Sequence, residues 1–331
     1  MVTRLLAALD RHWFAPGSLR DLALVRILVF GSQTLVFLFF PVGRLRPPGA
    51  HVHLATVGAE LYQPMLALRL LLLPVGGWDG GPPSPAMLGA AYGAALVAGV
   101  LATIGLLARP AMLVAAAANL LLVAHYHAYG EYHHHEALMM IALWVLALAP
   151  SAAVWSVDAA RRRRRGAPAA PAGADASPLA RWPLRLMQWV IALTYLSAAL
   201  SKLQVGGLAW FNGYTMSYHL AHAGLRRGAE LAVAVAALPP GLHLVPSAVA
   251  FLFEALFFVA IVRPRLAWPV LLVGAAFHLS VYATMRIAFF QTLVLYCVFV
   301  EALRLHRPAW LRLPPGPARR PPPAMEGAPA G

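Results

Sequence analysis

Residues 87–107, MLGAAYGAALVAGVLATIGLL, pass without a single charged side chain. A run of that length matches the hydrocarbon core of a bilayer, which takes about 20 mainly apolar residues wound as a helix. Backbone N–H and C=O groups find no water there, so such runs fold as helices that satisfy their own hydrogen bonds. The pattern recurs, with apolar runs at about 21–41, 87–107, 110–127, 136–156, 185–204, 245–262, 266–283 and 287–303. The expected fold is all-α: a polytopic membrane bundle of about eight transmembrane helices. Only 11% of the 331 residues are charged and 60% are hydrophobic, against about a quarter charged in soluble domains. That balance excludes a soluble globular protein. The stretch 59–75 is apolar too, but Glu60, Pro64 and Arg69 interrupt it. It is expected to be interfacial or re-entrant.

The cations orient the bundle. With a cytoplasmic N-terminus, the inside segments hold 18 of the 26 Lys and Arg residues and the outside loops 6, with Arg26 and Lys202 inside spans. This bias favours eight spans with both termini cytoplasmic. A ninth span at 59–75 would move the run Arg161–Arg165 outside, which argues against it. The formal net charge of +14 sits in loops beside apolar runs and orients the chain, so nucleic acid is not an expected partner. The lipid bilayer is. No cleavable signal is evident in the mixed, charged start MVTRLLAALDRHWFAPGSLRDLALVR. The Ala, Arg, Pro and Gly richness points to a high-GC bacterial genome, and so to a bacterial inner (plasma) membrane. The domain map is a cytoplasmic segment 1–20, a transmembrane domain 21–303 with a cytoplasmic linker at about 159–184, and a disordered tail 304–331. The single cysteine, Cys297, excludes an intrachain disulfide.

This orientation gathers polar residues at one membrane face. His125, Tyr126, His127, His133, His134, His135 and Glu136 fall at the outer ends of the third and fourth spans, and His278 at that of the seventh. Lys202, the only lysine, falls at the outer end of the fifth, followed by Trp210, Asn212, Tyr214, His219 and His222. Gln188, Tyr195 and Lys202 are seven apart and share one helical stripe. Polar residues inside a membrane usually face the bundle interior or a water-filled cavity. A polar pocket open to the extracytoplasmic side, where these histidines and the only lysine gather, is therefore expected. Position alone leaves a snorkelling Lys202 equally open. His125 and His127 point to different sides of a helix, and three adjacent histidines have no selective metal spacing, so no metal is expected. Glu254, near mid-span, needs a cation or a proton; Arg26 is one candidate partner. A structural role is expected for both.

Several segments resemble one family. HHHEALMMIALWVLALAPSAAVWSVDA is similar to the stretch of vitamin K-dependent gamma-carboxylase that carries an Asn-His pair, an apolar span and Trp-Ser-Val-Asp. Counting back from Trp155–Asp158 sets the family's histidine on His135 and its Asn on His134, a departure. TYLSAALSKLQVGGLAWFNGYTMSYHL resembles the lysine-bearing segment, with the catalytic lysine on Lys202, the tryptophan on Trp210 and a glycine-tyrosine on Gly213 and Tyr214. AFHLSVYATMRIAFFQ resembles a later phenylalanine-histidine span through Phe277 and His278, and LALVRILVFG the first span, with Arg26 in the arginine position. The chain is identified as a member of the broader HTTM (horizontally transferred transmembrane) family, the bacterial relatives of the carboxylase.

The resemblance implies a site and a chemistry. Lys202 and His135 would be catalytic, both lining the polar pocket. His134, Tyr126, Tyr195, Trp210, Tyr214 and His278 would line the pocket, and Arg26, Glu254, Trp155 and Asp158 would be structural. In the family, the lysine deprotonates a reduced vitamin K. Reaction with oxygen then gives a strong base that removes a gamma proton from a glutamate of a secreted protein, and CO2 adds. The implied cofactor is a reduced isoprenoid quinone of the vitamin K or menaquinol type. Three departures stand out: Ser201 replaces the first lysine of a pair, QVGGLAW lacks an aspartate before tryptophan, and the outer loops reach only about 40 residues. A smaller substrate, or a secreted peptide or partner membrane protein, fits better than propeptide-guided carboxylation. A non-enzymatic protein that binds lipid or quinone, or assists peptide export or maturation, stands beside the carboxylase-like lyase or oxygenase.

Overall fold

The computed structural model describes residues 2–39, 61–74, 78–130, 133–166 and 175–306. Within them the chain is almost wholly helical. An amphipathic helix α1 (Val2–Phe14) precedes α2 (Leu19–Phe39). A short α3 (Leu66–Leu72) leads to the hairpin of α4 (Pro85–Ile104) and α5 (Ala108–His127), followed by α6 (His134–Leu148) and α7 (Val157–Arg164). The long α8 (Pro178–Gly206) is followed by α9 (Tyr214–Arg227), α10 (Glu230–Ala236), α11 (Leu244–Leu256) and α12 (Val259–Val262). Helices α13 (Ala267–Met285), α14 (Phe290–Leu295) and α15 (Val300–Leu305) complete the described chain.

An all-α polytopic membrane protein is the result, but the span count differs from eight. Among the described residues, five helical segments are long and apolar enough to cross a membrane: Leu19–Phe39, Pro85–Ile104, Ala108–His127, Pro178–Phe211 and Pro264–Met285. A sixth arises if Glu230–Ala236 and Pro240–Leu256, bent by 116°, count as one broken span. The fourth apolar run yields only 15 helical residues, because Ala149 turns extended ahead of Pro150, as a residue before proline tends to do. The run at 245–262 is split by a turn after Leu256, and that at 287–303 tightens into 3-10 helix over Tyr296–Phe299. At 59–75 the described part holds a seven-residue helix, about 10 Å long and too short to cross. The fifth span is longer than expected, reaching back to Pro178 into the linker; residues 167–174 of that linker and 307–331 of the tail lie outside the described residues.

One end of the bundle is tied by polar contacts. Gly17–Ser18 pairs antiparallel with Ala176–Ser177, joining the starts of α2 and α8. Arg20 meets Asp175 at 2.5 Å, Arg304 meets Asp21 at 2.9 Å and Arg181 meets Glu301 at 2.7 Å. The α4–α5 turn joins the same end through Asp158, whose carboxylate accepts from Leu107 N at 3.2 Å and Ala108 N at 2.8 Å. These two N–H groups at the start of α5 lack an intrahelical partner, so Asp158 caps the helix. All of these segments are ones the cation count assigns to a single side.

The core packs mainly small and aromatic side chains. Phe253, Phe257, Tyr296 and Phe299 of the last third lie against Tyr195 and Ile191 of α8. Gly274 makes this approach possible: a Cβ there would sit 2.3 Å from the Tyr296 hydroxyl and 2.9 Å from Phe253.

Candidate functional site

At the opposite end from the Asp158 cap, α8 presents Lys202. It does not stretch toward the end of its helix. Its Nζ donates to Glu254 Oε2 of α11 at 2.5 Å, with side-chain exposures of 19% and 9%. The Trp210 ring, 5.2 Å from Nζ, covers the ammonium; a cation over an indole face is favourable when partly desolvated. Trp210 follows from the 3-10 turn Gly207–Phe211 that ends α8. The next turn is fixed by Gly213, at φ +78°, where a Cβ would meet the Pro240 carbonyl at 2.0 Å. Only glycine suits such a position. Tyr214 beside it points away and is 67% exposed.

Two grooves meet at Lys202. The first, about 670 Å³, has Val190, Leu193 and Trp210 as apolar walls, with Thr194, Ser197 and Ser201 along α8 and His134 opposite. The second, about 370 Å³, lies between α9, α11 and α13 and includes Glu254, His219 and Arg227.

His135 lies elsewhere. It lines a separate cavity of about 300 Å³ with His278, Phe289 and Gln291. The expectation that His135 and Lys202 share one cavity is thus not met among these cavities; the histidine facing the Lys202 groove is His134. The reason is helical geometry, since adjacent residues differ by 100° in direction. Both imidazoles are buried, both lie against the Phe289 ring at 5.4 Å and 4.9 Å, and the Nδ1 of each makes no hydrogen bond. His278 Nε2 is held by the Tyr195 hydroxyl at 2.5 Å, which also meets the Tyr296 hydroxyl at 2.7 Å. Tyr195 and Lys202 share a stripe of α8, so the helix edge that supplies Lys202 to its groove also holds His278 of the other cavity.

The other predicted residues fall into place around these. Tyr126 stacks on His133 at 5.9 Å, with its hydroxyl 3.4 Å from His133 Nε2. His127 Nε2 lies 2.9 Å from Glu136 Oε2, both side chains buried. Arg26 is fully buried and, among the described residues, binds no carboxylate. It donates to the carbonyls of Ser151 at 3.1 Å, Thr103 and Trp155 at 2.7 Å each, and Ala102. It locks the end of α4 to the loop after α6. Glu254 therefore pairs with Lys202 rather than Arg26. Trp155 is half exposed and takes a positive φ of 49°, contributing its carbonyl. Glu136 and Gln33, which bonds Asn119 at 2.9 Å, are polar residues at span positions and stand out in sequence. Tyr296 does not, because an aromatic in an apolar run gives no sign that its hydroxyl will meet another buried tyrosine.

No curated protein and no solved structure matches the chain. A family model does: that of the HTTM domain, over residues 80–303. The match covers well over half of the chain and runs from α4 into α15, taking in Lys202, Glu254 and every cavity-lining histidine. The chain belongs to the HTTM domain family and is a multi-pass helical membrane protein.

Proposed function

We propose that this chain is a carboxylase-like enzyme of a bacterial inner membrane, in which Lys202 acts as a base on a quinol-type cofactor at an extracytoplasm-facing site. The observation that carries the reading is the Lys202–Glu254 hydrogen bond at 2.5 Å, in a groove walled by apolar side chains. A snorkelling lysine has no need of an inward carboxylate. A lysine that must become a neutral amine needs somewhere to leave its proton, and Glu254 is within reach. Transfer of the proton along this bond leaves a neutral amine beside a neutral acid, so no charge is stranded in the hydrocarbon. Once Nζ regains a proton, Glu254 and the Trp210 face hold the ammonium in place.

The groove's residues fit a quinol head group. Val190, Leu193 and Trp210 would flank an apolar ring, while Ser197 and Ser201 offer hydrogen bonds to its oxygens and Thr194, whose hydroxyl donates to the Val190 carbonyl, can accept one. His134 stands where a second oxygen could be met. When bound, a reduced quinone supplies an acidic hydroxyl and two reducing equivalents. His135 and His278 act from their separate cavity, where the Nδ1 of each has no partner among the described residues and is left for a small substrate. A small acceptor or a secreted peptide is the substrate class this arrangement supports.

A second reading draws on the same pair. An ion pair between α8 and α11 also clamps two helices, which suits a non-enzymatic protein that binds lipid or quinone, or assists peptide export or maturation. The test is quinol-dependent turnover by the purified chain in nanodiscs, followed as oxygen or CO2 uptake. Arginine keeps the charge but cannot serve as a base, so Lys202→Arg should lose at least about a hundredfold, the scale of general-base catalysis. His135→Ala should lose less and His133→Ala little. Equal turnover in Lys202→Arg and the parent chain would remove the base assignment and leave the clamp.

A further inference from the structure

The groove on the far side of the Lys202–Glu254 pair has a composition that base chemistry does not require. Four cationic or titratable groups, Lys202, His219, His222 and Arg227, face it from α8 and α9. Its one carboxylate, Glu254, is already engaged by Lys202. Arg227, at the last turn of α9, makes no ion pair among the described residues. The imidazoles are held in position: His219 lies 6.0 Å from the Trp210 ring, and His222 stacks on Tyr218 at 6.0 Å and 23°. With Lys202 and Glu254 cancelling, Arg227 leaves the groove positive even when both histidines are neutral.

The opposite wall is apolar. Phe277, Val281 and Met285 are four residues apart and form one stripe of α13. That helix belongs to a segment long and apolar enough to cross a membrane, and the stripe occupies its C-terminal half. A positive head-group end joined to such a wall suits a molecule with both an oxyanion and a hydrocarbon body. A free ion would leave the stripe unused, and a neutral lipid would leave Arg227 unanswered.

We infer that this groove binds an anionic amphiphile, its phosphate or carboxylate at Arg227 and its chain along the Phe277–Val281–Met285 stripe. The site stands whether or not Lys202 turns over a quinol, since it asks only for a positive charge. A resident lipid and a diffusing substrate share this chemistry, and the probes below separate an amphiphile from a soluble anion.

The experiment uses the full chain purified in detergent, with binding followed by native mass spectrometry. The probes are phosphatidylglycerol, phosphatidylcholine with the same acyl chains, and inorganic phosphate. Phosphatidylglycerol should bind at least about tenfold more tightly than phosphatidylcholine, the scale of a charge-assisted hydrogen bond. Arg227→Gln should abolish that preference, because the two lipids share the phosphate and the acyl chains and differ in net charge. Arg263→Gln, a matched charge loss on another exposed turn, should keep it. Arg227 is exposed, so its loss should not unfold the chain, and an unchanged melting transition checks this. Equal binding of the two lipids, or a preference that survives Arg227→Gln, would overturn the proposal. Displacement of phosphatidylglycerol by millimolar phosphate alone would make the site one for a soluble anion and overturn the amphiphile.

Discussion

Replacing the two partners of the α8–α11 pair, singly and together, separates a real ion pair from two neighbouring polar groups. At 2.5 Å between Nζ and Oε2, two unit charges attract by about 6–7 kcal/mol at an effective dielectric constant of about 20. Desolvation of both groups offsets much of this, and removing one partner from a fully buried pair costs about 3–5 kcal/mol. Lys202 keeps 19% of its side-chain surface and Glu254 only 9%, so the two single changes should differ. Lys202→Met strands the more buried charge and should cost about 3 kcal/mol. Glu254→Gln leaves an ammonium that can still reach water along its groove and should cost about 2 kcal/mol. The double variant strands nothing and should also cost about 2 kcal/mol, giving a coupling of about 3 kcal/mol. The assay is reversible unfolding in mixed detergent–SDS micelles for the parent and three variants. If the single losses simply add in the double variant, the side chains do not act as a pair, and the proton-sharing argument fails with them.

Two other expectations follow. A reporter fused after Arg165 should be cytoplasmic and one fused near Arg226 extracytoplasmic; the same side for both would break the orientation on which the outward-facing site depends. The third concerns α1. Trp189 Nε1 donates to His12 Nε2 at 2.9 Å, which requires that nitrogen to be unprotonated. Burial, helped by Arg185 and Arg181, lowers the His12 pKa from its usual 6.5. Because the folded value lies below the unfolded one, the unfolded or undocked helix binds the extra proton. The docking energy is therefore fully present above about pH 6.5 and is lost as pH falls through the folded value. Relative to the intrinsic exchange rate at each pH, amide protection across residues 2–14 should fall as the medium is acidified below that point. A pH-independent pattern, or an acid response that persists in His12→Gln, would show that this bond does not hold the helix.

Much of the architecture is legible in the residues because its cause is local. Uncharged runs the length of a bilayer force helices, since backbone groups have no other partners there. The extreme bias of arginine and the gathering of histidines near Lys202 likewise follow from position along the chain. Periodicity could place Tyr195 and Lys202 on one stripe, and counting from Trp155–Asp158 could single out His135. It could not say what those faces would meet. Pro150 announces the break after Ala149, but nothing in the run 287–303 announces the tightening into 3-10 helix over Tyr296–Phe299. Arg26 and Glu254 look like partners in a one-dimensional list of buried charges. Packing instead gives Arg26 four carbonyls and Glu254 the only lysine. The division between His134 and His135 is of the same kind. One residue is 100° of helix rotation, which sequence registers as adjacency and tertiary structure converts into two cavities. The charges and their depth in the membrane were in the chain from the start, but their pairing arose only when α8, α11 and α13 came together, because a hydrogen bond is decided by a few ångströms that no spacing rule carries.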